Sequence, residues 1–267
     1  MLIHKSILKY IVSAVFLITL TAILFYVEQD HIVSIILGVA VLGICQWYFF
    51  TSFNEERSSD RNILWSVGII ARFIAVMAFP LLSDDIYRFY WDGQLWLQGL
   101  NPYHHIPAEM LQKNMVPGEL VSVYDQLNSP QYYTVYPPTS QFFYVIGALL
   151  SSSIYQFSIV LGVLLMLFDI LSMRILWSWF STDKKSMRYA VWYFLSPLVI
   201  IEGIGNLHFE VVMLSLLLVA IHYTFKPLRP LRAGLAIAGS VMTKLHSLIS
   251  VPFLFLAQPL ILSLIHI

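Results

Sequence analysis

Charge is scarce in this sequence. Asp, Glu, Lys and Arg make up 11% of its 267 residues, against about a quarter in an ordinary soluble domain. Hydrophobic residues reach 58%. So little polar surface cannot cover a soluble globule of this length, and the chain reads as a polytopic membrane protein. The 15 basic and 15 acidic residues cancel to a net charge of zero. No basic stripe is left to neutralise a nucleic-acid backbone, which argues against nucleic acid as a partner. Cysteine is all but missing: Cys45 is the single one, and it lies in an apolar run. Neither a disulfide framework nor a thiolate metal site can be built from it, so it reads as a small buried hydrophobe. Also absent are a Gly-rich phosphate loop after a strand, a His-Glu-x-x-His pair and a Gly-x-Ser-x-Gly elbow. No internal repeat or low-complexity linker divides the chain.

What is present is a series of apolar runs. Lys5 and Lys9 precede the first, from about Tyr10 to Val27, which is long for a signal-peptide core and lacks a small-residue cleavage site. A short polar turn, Glu28 to His31, leads to a second run from about Ile32 to Phe50. A charged loop follows, and a third run extends from about Ile63 to Leu82 with Arg72 near its middle. There a charge requires the bundle interior or a wet cavity. Ser140 to Ser151 is apolar but only roughly 18 Å long as a helix, short of the roughly 30 Å hydrocarbon core. Ile154 to Phe180 is long enough, and its Asp169 and Arg174 call for interior partners. Tyr189 to Ile201 and Val211 to Phe225 flank a polar break, Glu202 to Glu210. The last run starts at Ala233 and contains Lys244 and His246. The expected fold is an all-α transmembrane bundle with a long outward loop carrying interfacial helices.

Topology follows from the Lys and Arg distribution, because cytoplasmic loops are enriched in both. With the N-terminus inside and Ser140 to Ser151 not spanning, Lys5, Lys9, Arg57, Arg61, Lys184, Lys185, Arg188, Lys226, Arg229 and Arg232 are cytoplasmic. Arg88 and Lys113 face outward. The same arrangement brings Glu202 to Glu210 to the outer face with Asp84 and Asp85.

Those two carboxylates open the long polar interval, Leu82 to Pro138. Ser83 is a good N-cap, and Asp84 and Asp85 are expected in the first turn, facing the positive end of the helix dipole. Asp85, Arg88 and Asp92 fall at i, i+3 and i+7 on one face, which predicts an amphipathic helix along the membrane surface. Tyrosine and tryptophan recur through the loop: Trp91, Trp96, Tyr103, Tyr124, Tyr132, Tyr133 and Tyr136. Their faces suit sugar rings as well as headgroup anchoring.

Four motifs in order carry a resemblance. They are Asp84-Asp85-Ile86-Tyr87-Arg88-Phe89-Tyr90-Trp91-Asp92-Gly93, Gly99-Leu100-Asn101-Pro102-Tyr103, Tyr136-Pro137-Pro138 and Gly205-Asn206-Leu207-His208-Phe209-Glu210. The chain resembles the polytopic glycosyltransferases of superfamily C, and within them the bacterial polyprenol-phosphate-mannose-dependent mannosyltransferases, over roughly Ile63 to Pro252. The first two runs are not explained by it. The resemblance implies transfer of a hexose, mannose by analogy, from a polyprenyl-phosphate donor to a glycan or glycolipid acceptor. It places the protein in the plasma (inner) membrane with the site on the outer face. It also implies that Asp84 or Asp85 acts at the reacting centre, as general base toward the acceptor hydroxyl. Arg88, Lys244 and His246 are candidates to stabilise the departing polyprenyl phosphate. Asp92, Tyr136, Glu202, Asn206, His208 and Glu210 complete the expected substrate-binding set. A single displacement inverts the anomeric centre. No cofactor is required, although an Asp-Asp pair offers oxygens to a divalent cation.

A transporter or flippase of lipid-linked sugars would use the intramembrane Arg72, Asp169, Arg174 and Lys244 as a pathway. The aromatic-rich loop and the lack of a repeated half speak for the enzyme. The last six residues, Leu262 to Ile267, match the in-frame translation of a transposon-end sequencing adapter, CTG TCT CTT ATA CAC ATC. A single domain is therefore expected over 1–261, truncated at its C-terminus.

Overall fold

The computed structural model describes residues 2–182, 187–224 and 229–254. Lys184, Lys185, Lys226 and the terminal hexapeptide lie outside them. The described residues form helices and connecting turns, with no strand among them. Among the described residues, three helices are long and apolar enough to cross a membrane, α1 (Leu2–Tyr26), α2 (Ile32–Ser52) and α8 (Ile154–Thr182). A bent pair, Met187–Phe194 with Val199–Gly205, makes a fourth crossing if its two pieces, 47° apart, count as one span.

The intervening helices are α3 (Ser58–Met77), α4 (Asp85–Leu97), the short α5 (Pro107–Gln112) and α6 (Val121–Tyr124), and α7 (Pro138–Leu149). The expected third run corresponds to α3, which stops at Met77 rather than Leu82. Pro80 is the reason: its ring collides with the carbonyl four residues back, and Ala78 already has extended backbone, φ −81° and ψ 142°. With Asp60, Arg61 and Arg72 on it, α3 is not among the helices apolar enough to span. At 12 residues, α7 is likewise too short. The chain continues with α9 (Ala190–Phe194), α10 (Glu210–Thr224) and α11 (Pro230–Thr243), followed by a 3-10 segment, Leu245–Ser250.

The chain forms two compact units. The first comprises Met1–Ile86, Ser158–Met166 and Leu176–His208. Here α1 packs on α2 and α3, and α9 packs on α2 and α3. Lys9, a loop-side charge by its sequence position, is buried. Its ammonium donates to the Ser52 carbonyl at 2.9 Å and pairs with Asp60. Asp60 also accepts from the Asn54 backbone N–H at 2.9 Å. The cation thus meets the carbonyl end of α2 and the anion lies in the first turn of α3, each complementing a helix dipole. Arg72 is fully buried and donates through one guanidinium nitrogen to the carbonyls of Gly68 at 2.9 Å and Phe194 at 2.8 Å, the latter at the C-terminal end of α9.

The second unit comprises Tyr87–Phe157, Leu167–Ile175 and Phe209–Ile267. Helix α11 packs on α10 and α7. Gly93 lets α4 and α7 approach closely, because a Cβ there would stand 2.5 Å from the Tyr144 carbonyl oxygen. Phe89, Tyr144 and Phe209 pack ring on ring, Phe89 stacked on Tyr144 at 4.6 Å between centroids. Asp169 is buried as expected, but Arg174 is exposed on α8 instead of turned inward.

Candidate active site

Asp84 and Asp85 stand where α4 begins. The helix starts at Asp85, so Asp84 takes the position before it, one residue later than the cap expected at Ser83. The Ser83 hydroxyl still accepts from the Asp85 backbone N–H, at 3.4 Å. Both carboxylates are half-buried. Gln29, in the turn between α1 and α2, donates its side-chain amide to Asp84 Oδ2 at 3.3 Å. The turn joining the two N-terminal helices that the resemblance left unexplained therefore reaches Asp84.

The polar break at Glu202 lies on the same end of this unit. Residues Val199–Gly205 form a π-helix, closed by the Asn206 N–H bonding back to the Ile201 carbonyl at 2.8 Å. Such wide turns recur at functional sites. Leu207 follows with a positive φ of 59°, a strained setting for a branched residue. The turn directs Asn206 and His208 back onto Glu202: Asn206 Nδ2 donates to Glu202 Oε2 at 3.2 Å, and His208 Nδ1 lies 3.4 Å from the same oxygen. Beside them is a cavity of about 100 Å³ lined by Ile23, Val39, Leu82, Leu198, Ile201 and Glu202, among others. Leu82 and Glu202 share that lining, which sets Asp84 and the Glu202 cluster on one end of the unit. The Lys9–Asp60 pair marks the other end, separated by the length of α2, roughly 30 Å.

The second unit holds the remaining predicted residues. Arg88 and Asp92 form an ion pair, Nε to Oδ1 at 3.0 Å, with exposures of 3% and 0%. Asp92 Oδ2 accepts from the Thr134 hydroxyl at 2.5 Å and from Gln141 Nε2 at 2.8 Å. Gln141 Oε1 accepts in turn from the Trp96 indole at 2.9 Å. Burial pushes the Asp92 carboxyl above the ordinary range, against the Arg88 charge and the hydrogen bonds from Thr134, Gln141 and Arg88. Arg88 also donates to the carbonyls of Ser129 and Tyr132, at 3.3 and 3.2 Å. The expectation of a helix lying along a surface with an exposed polar face is corrected: Ile86 and every residue from Arg88 to Leu95 are buried. Side chains and carbonyls more than forty residues away in sequence meet Arg88 and Asp92 on the polar face of α4 from within.

Tyr136 is half-buried against Phe89 at 4.9 Å between centroids. Its carbonyl accepts from the Tyr103 hydroxyl at 2.6 Å. Burial, and next the Asp92 charge, hold the Tyr103 phenol above its usual range, in the protonated form that donates. Glu210 and Lys244, both assigned to substrate, pair with each other. Lys244 is not within a helix but in the extended link between α11 and the following 3-10 segment, φ −149° and ψ 134°, and His246 is exposed in that segment. Sequence reasoning missed Gln29, Thr134 and Gln141, and read Trp96 as an aromatic face where the structure has it donating to Gln141. Nothing local marks them, because each acts on a partner distant in sequence. Among the described residues, no three His, Cys, Asp or Glu side chains are grouped to hold a metal ion.

No curated protein and no solved structure is significantly similar to the chain. Residues 11–259 match the model of the MptA_B family, described as the N-terminal domain of alpha-(1->6)-mannopyranosyltransferase. The match runs from within α1 past the last described residue. The chain belongs to this family of alpha-mannosyltransferases and is a membrane glycosyltransferase.

Proposed function

We propose that the protein transfers a mannosyl group from a polyprenyl-phosphate donor to a glycan or glycolipid acceptor, at the outer face of the plasma membrane. The observation that carries this reading lies in the first unit, where Asp84 and the Glu202, Asn206 and His208 cluster share one end with an apolar cavity. A ligand with a polar head and an apolar chain fits that juxtaposition. The cavity is well below the roughly 300–1,000 Å³ of a complete ligand site. It would take a stretch of chain, leaving the sugar to the polar cluster.

The chemistry then needs one base. The acceptor hydroxyl oxygen attacks the anomeric carbon, the bond from that carbon to the phosphate oxygen breaks, and the hydroxyl proton passes to Asp84 or Asp85. Gln29 holds Asp84 in place from the turn between α1 and α2. Of the cations assigned to the leaving phosphate, Lys244 and His246 reach solvent and Arg88 does not. The family description carries an alpha product, and a single displacement inverts, so the donor must be beta-linked. Membranes containing the protein, incubated with radiolabelled beta-linked polyprenyl-phosphate mannose, are expected to place label in a new glycolipid or glycan. No label above that of membranes lacking the protein, or label only from an alpha-linked donor, overturns the reading.

A further inference from the structure

The buried group around Asp92 is more than the reaction scheme uses, and everything it grips belongs to one stretch. Between Ser129 and Tyr136 the chain has no helix, yet its inward-facing groups are engaged. Arg88 holds the carbonyls of Ser129 and Tyr132, Asp92 holds the Thr134 hydroxyl, and Tyr103 holds the Tyr136 carbonyl. Gln141 donates to both Asp92 and Thr134, and Trp96 fixes Gln141. Burying a charged pair under a loop carries a desolvation penalty. Its return here is a loop held in a single conformation.

The outward side of the same stretch is aromatic and open. Tyr132 is 68% exposed, Tyr133 53% and Val135 80%, while Thr134 between them points in. We propose that Ser129–Tyr136 is a preset platform on which Tyr132 and Tyr133 stack a sugar ring of the glycan acceptor. Arg88, Asp92, Thr134 and Gln141 are its positioning residues and do not touch substrate. Each ring contact is weak, so affinity depends on the loop having been ordered beforehand. A flexible loop with the same tyrosines would lose most of it. The proposal rests on glycosyl transfer by the family and not on the identity of the donor.

The test reads binding without turnover. Purified full-length protein in detergent is titrated with α-(1→6)-mannobiose by saturation-transfer NMR, and amide hydrogen exchange is followed over 129–136. Tyr132→Leu and Tyr133→Leu keep apolar bulk and remove the ring face. Each is expected to weaken mannobiose binding by roughly three- to tenfold with exchange unchanged. Thr134→Val and Gln141→Leu are expected to speed exchange across the segment and weaken the disaccharide by a similar factor, although neither side chain meets it. Unchanged affinity in the two Tyr variants overturns the platform, and leaves membrane anchoring as their role. Faster exchange with unchanged affinity in the Thr134 and Gln141 variants overturns the positioning role. A wild-type protein that binds mannobiose but transfers nothing from the polyprenyl donor would instead overturn the donor assignment.

Discussion

Two aspartates three and four residues from one arginine can look alike in a motif and do different work. Asp85 and Asp92 both fall on the face of α4 that carries Arg88, but Asp85 lies half-buried at the helix start, and Asp92 is sealed inside with three side chains on it. Replacement separates them. Asp84→Asn or Asp85→Asn, whichever removes the base, is expected to lower transfer at least roughly a hundredfold with the melting temperature unchanged, measured by radiolabel transfer and thermal unfolding in detergent. If both single variants and the double variant kept wild-type turnover, the base assignment would fail. Arg88→Met is expected to destabilise the fold by about 3–5 kcal/mol, because it leaves the buried Asp92 carboxyl without its counter-charge. The double variant Arg88→Met, Asp92→Leu should recover most of that loss, as apolar pairs often replace buried ion pairs at little cost. A double variant no more stable than the single one would show that the pair does not act as a unit.

Helices in this protein are joined by a few contacts that depend on single residues. Lys9 ties the start of α1 to the end of α2 and the first turn of α3. Lys9→Met keeps the apolar stem but strands Asp60, and a loss of about 3–5 kcal/mol is expected, read as a drop in unfolding temperature. At the α4–α7 crossing, Gly93→Ala places a methyl against the Tyr144 backbone carbonyl, which cannot swing aside. The helices must separate, with an expected cost of about 1–3 kcal/mol. A Gly93→Ala protein as stable as wild type would mean that the crossing is looser than its geometry implies. Of the elements themselves, α1, α2, α8 and the short α7 follow from run length and composition. The end of α3 follows from Pro80. The π-helix at Val199–Gly205 does not: four β-branched residues and two glycines in VIIEGIG mark a weak helix without saying which turn it takes, and the wider turn shows only in Asn206 closing back on Ile201.

Across the whole chain, the remaining expectation concerns sidedness. In the first unit, the end bearing Lys9 and Asp60 and the end bearing Asp84 and Glu202 are separated by the length of a membrane-crossing helix. From the Lys and Arg distribution, the first is expected at the cytoplasm. In a Cys45→Ser background, single cysteines at Asp84, Lys113 and His208, which is half-exposed where the neighbouring Asn206 is buried, should label with an impermeant thiol reagent in intact cells, and cysteines at Arg188 and Arg229 should not. Labelling of Arg188→Cys from outside would invert this arrangement.

The class of the protein, its helical content and three of its crossings were written in local composition, because hydropathy acts residue by residue and a run of apolar side chains partitions into lipid whatever follows it. The acidic pair at the start of α4 was equally visible, since a helix start is a matter of neighbouring residues. Which polar groups meet was not. Thr134 and Gln141 reach Asp92 across 42 and 49 residues, Lys9 reaches Asp60 across 51, and Gln29 reaches Asp84 across 55. A carboxylate on a helix face carries the same pattern whether it turns to substrate or to the interior. Packing alone chose the interior for Asp92, because partners able to satisfy a buried charge were brought there by chain folding and could not be read from its neighbours.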